Sequence, residues 1–218
     1  MSPDRPMTDL LRDEQDIDFA ALDTGPRTIH AHVMRPIMRQ LNQALAHTVL
    51  DLGCGNGWFT HALERCGFEA VGVDHDSVKL AAARLLYPHM RFETLDATQL
   101  RDSRLTNRFD AVVAIDVIDH VAAPRAFIEF ALDALKPGGL LVVTAPYYGY
   151  IKNIALALTG RFDARWDPLM ESGRIKFFSR ATLTALLAEY ELAGLHFETV
   201  GRVPMLARAM VLSGTHTG

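Results

Sequence analysis

One short segment, residues 49–57, constrains the fold of this chain more strongly than any other. It reads Val-Leu-Asp-Leu-Gly-Cys-Gly-Asn-Gly, an apolar run that ends in glycines at alternate positions, and an amphipathic helical pattern follows at once. Glycine tolerates positive φ angles and lets another molecule approach the backbone without a Cβ in the way. Free N–H groups at a helix start add hydrogen-bond donors and partial positive charge. The segment therefore predicts a strand, a tight turn and a helix that together bind a nucleotide-type cofactor.

Length, charge and cysteine content narrow the class of protein. A length of 218 residues suits a single α/β domain over residues 1–218, and a net charge of −4 argues against nucleic acid or an anionic membrane as the main partner. The two cysteines form no disulfide framework, and the chain has no C-x-x-C or H-E-x-x-H zinc pattern. Residues 1–18 lack the apolar core of a signal peptide, and no apolar run is long enough to span a bilayer. We therefore expect a cytoplasmic protein without a bound metal, and the sequence leaves a homodimer open.

The rest of the chain alternates predicted helices and strands. Helices are expected over residues 28–46, 58–66, 77–86, 124–135 and 150–159 and from Ser179 onward, and strands over 49–52, 69–74, 90–95, 109–115, 140–144, 196–200 and 205–212. Residues 1–46 are expected to form an N-terminal helical cap, in which Pro36 could kink or restart the helix. This alternation predicts a parallel, doubly wound sheet. In such sheets ligands bind outside the carboxyl ends of the strands, which here carry Gly53, Asp74, Asp96 and Asp116.

The glycine segment departs from two common cofactor motifs. The dinucleotide motif G-x-G-x-x-G needs a glycine where Trp58 stands, and the phosphate-binding P-loop needs a G-K-[ST] ending that is absent. Asp74, at the end of the second strand, fits a carboxylate that accepts hydrogen bonds from ribose hydroxyls. A dehydrogenase and an NTPase are therefore both disfavoured.

Four motifs carry a resemblance to a known family. They are V-L-D-L-G-C-G-N-G at 49–57, V-G-V-D at 71–74, F-D-A-V-V-A-I-D-V-I-D-H-V at 109–121 and L-K-P-G-G-L-L-V-V-T-A-P at 135–146. In order and spacing they resemble the class I S-adenosylmethionine-dependent methyltransferases, and most closely the ubiquinone O-methyltransferase-like group. The resemblance covers about residues 28–212. It implies a Rossmann-like, mostly parallel sheet of seven strands with the last strand antiparallel, helices on both faces, and S-adenosylmethionine as the cofactor.

The resemblance also implies which residues contact the cofactor. Carried over by position, the glycine turn would face the methionine part, Asp74 the ribose, Asp96 the adenine edge, and Asp116 the sulfonium and amino-acid part. For Asp51 and Asp96 the alternative is that they cap a turn or a helix. The predicted cofactor-binding residues are Asp51, Gly53, Gly55, Gly57, Asp74, His75, Asp96, Ala97, Asp116 and Val117.

Methyl transfer to a hydroxyl or an amine also needs a group that takes the acceptor's proton. His120, beside Asp119, is the first candidate, with a structural histidine at a helix end as its alternative. The aromatic rings of Tyr147, Tyr148 and Tyr150 are further candidates and could also surround the sulfonium cation. The predicted catalytic residues are His120, Asp116, Tyr148, Asn153 and Arg174.

Residues 147–178 interrupt the alternation and hold seven of the chain's eighteen aromatic residues, so we interpret them as a substrate lid. Local core under a long loop is the alternative. A bacterial subset of the family would have a Gly-Gly-His run where this chain has Ser172-Gly173-Arg174. Arginine cannot accept a proton. Arg174 could therefore bind a carboxylate-bearing small-molecule acceptor, or the pocket could serve no external acceptor.

The second interpretation of Arg174 defines a different reaction. The α-amine of S-adenosylmethionine would attack its own γ-carbon and give azetidine-2-carboxylic acid and methylthioadenosine, with the lid aromatics, Asp116 and Asn153 supplying the cage and the base. We favour methyl transfer to a small-molecule acceptor. A third interpretation, a cofactor-binding regulator without activity, is disfavoured by the intact glycine turn and strand-end acids.

Overall fold

The computed structural model describes residues 28–95, 104–160, 174–201 and 207–218. Their strands are β1 (Thr48–Leu52), β2 (Glu69–Asp74), β3 (Arg91–Thr94), β4 (Phe109–Ile115), β5 (Leu135–Pro146), β6 (Leu192–Val200) and β7 (Ala209–His216). All seven belong to one sheet with the order β3-β2-β1-β4-β5-β7-β6. Strands β1 to β5 pair in parallel, whereas β7 runs antiparallel to both β5 and β6. The predicted seven-stranded, mostly parallel sheet with an antiparallel last strand is confirmed.

Helices cover both faces of the sheet, because its central strands are apolar on both sides. The helices are α1 (Thr28–Gln43), α2 (Trp58–Arg65), α3 (Ser77–Leu86), α4 (Pro124–Ala134), α5 (Tyr150–Thr159) and α6 (Arg180–Leu187), with a 3₁₀ turn over Ile118–His120. Val49 packs in the core that α1 and α2 build, while the next residue, Leu50, packs in the core that α4 and α6 build. None of the described helices is long and apolar enough to cross a membrane.

Helix α1 runs through Pro36 without a break but ends at Gln43, three residues before the predicted end. The apolar stripe of Val33, Ile37 and Leu41 is fully buried, which offsets the hydrogen bond that a proline cannot donate. Beyond Gln43 the chain turns at Leu45 with φ 52°, and the Ala46 N–H donates to the Leu41 carbonyl at 3.0 Å. This is the Schellman end of a helix, here with leucine where glycine is usual.

Two helices begin with a side-chain cap. The Asp76 carboxylate accepts from the backbone N–H groups of Val78 and Lys79 at the start of α3. Ser179 and Thr182 form a reciprocal capping box at the start of α6. In both helices the side chain satisfies N–H groups that have no partner within the helix.

The last two strands lie elsewhere than the apolar runs predicted. Strand β6 begins at Leu192 rather than near His196, with a bulge where Gly194 has φ 63°. Strand β7 covers 209–216 rather than 205–212, and residues 202–206 lie outside the described part of the chain. The Arg208 N–H donates to the Val200 carbonyl at 2.8 Å. This hydrogen bond closes the connection between β6 and β7, and the two strands pair from there on. Strand β5 covers 135–146 rather than 140–144, and its pairing with β4 shifts register where residues 136–139 are included.

Candidate cofactor and active site

The predicted site residues meet where the strand order reverses. The chain builds β1, β2 and β3 in one direction and then returns to place β4 on the other side of β1. The glycine turn therefore follows β1, and Asp116 follows its neighbour β4, at the same edge of the sheet. This crevice between β1 and β4 is where doubly wound sheets bind their ligands.

Two of the three glycines in the turn are required by the protein's own packing. All three have positive φ, 86° at Gly53, 55° at Gly55 and 78° at Gly57. A Cβ on Gly53 would lie 2.4 Å from Val117 Cγ2, and one on Gly57 would lie 2.5 Å from the Phe92 ring. A Cβ on Gly55 would meet nothing within 4 Å. Gly55 is thus the position at which the turn leaves space for another molecule.

Hydrogen bonds within the protein use the N–H groups of this turn. Those of Gly53 and Cys54 donate to the Val73 carbonyl, and that of Gly57 donates to Cys54. The Gly55 N–H donates to Asp74 Oδ2 at 2.8 Å. A phosphate cradle needs such donors to point at the ligand. The N–H groups of Gly53, Cys54, Gly55 and Gly57 instead bond within the protein, which suits a cofactor without phosphate and agrees with the missing dinucleotide and P-loop motifs.

Asp51 lies beneath the turn rather than at its surface. Its side chain is buried, and Thr60 Oγ1 on α2 donates to Asp51 Oδ2 at 2.6 Å. Burial is the main cause that raises the pKa of this carboxyl, and nearby Asp74 raises it further, whereas the Thr60 hydrogen bond lowers it. The resulting pKa is about 7. Asp51 therefore ties β1 to α2 below the cofactor turn.

Asp74 faces the turn from the end of β2. Its carboxylate accepts the Gly55 N–H through Oδ2 and the Asp76 N–H, at 2.9 Å, through Oδ1. The side chain is only 8% exposed, whereas that of His75, with Nδ1 3.3 Å from Asp74 Oδ1, is largely exposed. The acid predicted to bind ribose is thus held rigidly beside Gly55.

Asp116 has the most constrained backbone in the site. Its φ is 57°, a left-handed conformation that is uncommon outside glycine, and its N–H donates to Thr144 Oγ1 on β5 at 3.0 Å. Oδ1 is buried and has no hydrogen-bond partner among the described residues. Burial raises the pKa of this carboxyl, Asp119 raises it further, and Arg174 opposes both. Strain and an unused buried acceptor together are typical of a functional position.

Arg174 bridges two carboxylates that are far away in sequence. Its Nη2 donates to Asp116 Oδ2 at 3.1 Å, and its Nε donates to Asp119 Oδ2 at 2.6 Å. Burial lowers the pKa of Arg174, but the two acids and Tyr148 outweigh that effect and raise it. The backbone N–H groups of Ile175 and Lys176 also donate to the Asp119 carbonyl. The charge of Arg174 is therefore already paired within the protein.

The structure brings the five predicted catalytic residues into one contiguous cluster. His120 Nε2 lies 3.9 Å from Asp119 Oδ2, and Tyr148 packs edge-on against Phe177 with ring centroids 5.7 Å apart. Asn153 Nδ2 donates to the Tyr148 carbonyl at 3.4 Å. Val117 joins this cluster to the glycine turn through its contact with Gly53. The predicted adenine contacts, Asp96 and Ala97, lie outside the described residues.

Sequence reasoning did not single out three residues that hold the site together. They are Thr60, which bonds Asp51, Thr144, which receives the Asp116 N–H, and Asp119, which anchors Arg174. Only Asp119 left a sequence signal, since it follows Asp116 by three residues in a short turn after a buried strand. The two threonines lie within regular elements, where their position follows from the elements' packing.

The cluster fits the cofactor that the motifs imply. S-adenosylmethionine carries a sulfonium cation, an ammonium group and a carboxylate, and no phosphate. The open space over Gly55 leaves room beside the buried Asp74, and the unpartnered Oδ1 of Asp116 is an acceptor for a cationic donor. The carboxylate of Asp74 and the unpartnered Oδ1 of Asp116 favour a positively charged group of the ligand at this edge of the sheet.

A doubly wound sheet of this strand order, with a glycine turn after β1 and an acid after β2, defines the class I S-adenosylmethionine-dependent methyltransferases. The sequence of residues 19–196 matches a protein family described as "Methyltransferase domain". The chain belongs to this family, and S-adenosylmethionine is its cofactor.

Named relatives agree with this assignment, and a solved structure shares the fold. The chain is 34% identical over 157 residues to a ubiquinone biosynthesis O-methyltransferase of Bradyrhizobium sp. (strain ORS 278), covering 71% of this chain and 61% of the relative. It is 33% identical over 162 residues to the Bradyrhizobium diazoefficiens protein of that name, covering 71% and 62%. The chain thus spans about three fifths of the length of these relatives. The crystal structure of an S-adenosylmethionine-dependent methyltransferase from Mesorhizobium loti superposes with a TM-score of 0.63 at 19% identity, covering 86% of this chain and 100% of that one.

Proposed function

We propose that this protein transfers the methyl group of S-adenosylmethionine to a hydroxyl oxygen of a small, largely apolar acceptor. The observation that carries the proposal is the cluster of Asp116, Arg174 and His120 directly beside the glycine turn. Relatives named as O-methyltransferases support oxygen as the methylated atom.

Asp74 and Asp116 are the residues proposed to hold the cofactor. The Asp74 carboxylate, already oriented by Gly55 and Asp76, would accept the ribose hydroxyls. The free Oδ1 of Asp116 would accept from the ammonium group, because a buried acceptor without a donor is costly to leave unpaired. When bound, S-adenosylmethionine supplies a methyl group whose S–CH₃ bond breaks, with the electron pair left on sulfur, as the new O–CH₃ bond forms.

His120 is the proposed proton acceptor. The acceptor's hydroxyl loses its proton as the new bond forms, and a positioned imidazole contributes a factor of about 10²–10⁴ in such steps. Asp119 lies 3.9 Å from His120 Nε2 and would stabilise the imidazolium that results. Arg174, which cannot take a proton, holds Asp119 and Asp116 apart and in place.

The surface beside the cluster favours an apolar acceptor over a carboxylate-bearing one. Ile154, next to Asn153 on α5, and Ile175 and Phe177, which follow Arg174 in the chain, are large apolar side chains exposed to solvent. Because Arg174 is paired with two carboxylates, it offers no free charge to an acidic acceptor. A substrate lid over residues 147–178 remains part of this proposal, although residues 161–173 lie outside the described part of the chain.

The test is turnover by the purified protein with methyl-labelled S-adenosylmethionine and a series of catechols. The series compares 4-alkylcatechols of increasing chain length with 3,4-dihydroxybenzoate, and mass spectrometry detects S-adenosylhomocysteine and the methyl ether. We expect turnover that rises with alkyl length and is lowest for the carboxylate. The His120→Ala variant should lose about 10²–10⁴-fold in kcat, recover part of it with added imidazole, and bind the cofactor normally.

A matched control and two further outcomes make the test decisive. His196→Ala removes an exposed histidine on β6 and should leave kcat unchanged. Methylthioadenosine released together with azetidine-2-carboxylic acid, without any acceptor, would instead establish the cyclisation reaction. Tight cofactor binding with no product from any acceptor would favour a regulator, and both results would refute the proposal.

A further inference from the structure

Three potential metal ligands converge beside α2, the helix that follows the glycine turn. His61 and Glu64 lie one helical turn apart on α2, and His89 lies in the turn between α3 and β3. One ligand atom from each lies within 4.8 Å of the others. Glu64 Oε2 is 3.1 Å from His89 Nε2 and 3.7 Å from His61 Nδ1.

The two separations from Glu64 Oε2 are close to those around a tetrahedral zinc ion. Zn–N and Zn–O bonds of 2.0–2.2 Å place neighbouring ligand atoms about 3.3–3.5 Å apart. The two measured separations bracket that value. Two imidazoles and one carboxylate also form a ligand set that zinc uses in proteins, with a fourth position left for water.

The imidazoles are held in place before any ion binds. The ring of His61 stacks on that of Tyr87 with centroids 4.5 Å apart and planes 21° apart. The Met90 N–H donates to the Tyr87 carbonyl at 3.0 Å, which closes the turn that carries His89. Because neither ligand needs a large backbone movement, little conformational entropy is lost on binding.

A histidine–glutamate contact alone does not account for this arrangement. It explains His89, which lies within hydrogen-bond distance of Glu64. It does not explain His61 Nδ1, which is buried and has no hydrogen-bond partner among the described residues. A buried polar nitrogen aimed at a carboxylate from 3.7 Å is satisfied by an ion between them.

We propose that His61, Glu64 and His89 bind one divalent zinc ion, which ties α2 to the turn before β3. Helix α2 begins directly after the glycine turn, so the ion would brace one flank of the cofactor site without entering it. No short zinc motif signals this site, because Glu64 and His89 are 25 residues apart.

Calorimetric titration of the full chain, purified with a chelator and then freed of it, with ZnCl₂ tests the proposal. We expect one zinc ion per chain. Glu64→Gln and His89→Ala should each weaken binding by at least about tenfold, the loss that even an outer-shell change costs. Both side chains are partly exposed, so these variants are expected to fold. Bound Co²⁺ should show the visible bands of a tetrahedral site and no thiolate charge-transfer band.

Two controls separate this site from adventitious binding. His196→Ala removes a histidine 3.9 Å from the single acid Glu198, and Cys66→Ser removes the half-buried thiol at the end of α2. Neither should change zinc affinity more than twofold. Absent or superstoichiometric binding, unchanged affinity in Glu64→Gln and His89→Ala, or an equal loss in His196→Ala would each overturn the proposal.

Discussion

Replacing Asp51 by asparagine should flatten the pH dependence of stability. The folded protein buries this carboxyl beneath the cofactor turn and raises its pKa from 3.8 to about 7. Below pH 3.8 the group is protonated in both states and has no effect. Between 3.8 and about 7 the folded state keeps a proton that the unfolded state has lost, so the free energy of unfolding falls as pH rises.

The size of the effect follows from the difference in pKa. Each pKa unit corresponds to about 1.4 kcal/mol, so ionising Asp51 in the folded state costs roughly 4 kcal/mol in total. Most of this cost appears within the pH range of the experiment, because the free energy of unfolding falls by roughly 3 kcal/mol between pH 5 and pH 8. Asparagine has nearly the same shape, can still accept from Thr60, and carries no proton that titrates in this range.

Urea unfolding of the wild type and Asp51→Asn at pH 5, 6, 7 and 8, followed by circular dichroism, measures the effect. The difference between their unfolding free energies should change by roughly 3 kcal/mol across that range. Only this change with pH is diagnostic, because a buried amide brings its own unpaired N–H groups.

Asp110→Asn is the matched control on the adjacent strand. Burial raises the pKa of Asp110, but hydrogen bonds from Lys136, Thr48 and His47 outweigh it and hold the pKa below its ordinary value. Asp110 is therefore ionised in both states from pH 5 to 8, and its loss should lower stability equally at each pH. Parallel curves for the wild type and Asp51→Asn would refute the assignment of a proton to Asp51.

Three further perturbations test the packing. Gly53→Ala and Gly67→Ala both place a Cβ at a positive φ, but only the Cβ at position 53 would meet a valine side chain. Urea unfolding should therefore show that Gly53→Ala lowers the free energy of unfolding by about 1–3 kcal/mol more than Gly67→Ala does. Equal losses of stability would contradict the contact. Asp76→Ala removes the α3 cap and should cost about 1 kcal/mol by the same measurement, and an unchanged midpoint would count against it. Arg174→Gln leaves Asp119 without its cation and should lower Tm, and adding Asp119→Asn should restore part of the loss.

Local pattern was sufficient to predict most of the elements. Strands β2 and β4 and helix α5 begin and end at the predicted residues, because alternation, helical periodicity and flanking acids or glycines are encoded within ten residues or so. The predictions failed where an element's end depends on distant pairing. Strand β7 is shifted by four residues because its register follows β5 and β6.

By itself, the sequence determined the glycine turn, the acids at the strand ends and the family to which the chain belongs, since these are short motifs with a local physical cause. It could not show that Arg174 lies between Asp116 and Asp119, 58 and 55 residues away, or that Glu64 lies beside His89. Those contacts form only when the strands assemble in their observed order. The tertiary structure alone decided that two of the three glycines serve internal packing, whereas the third, Gly55, faces open space.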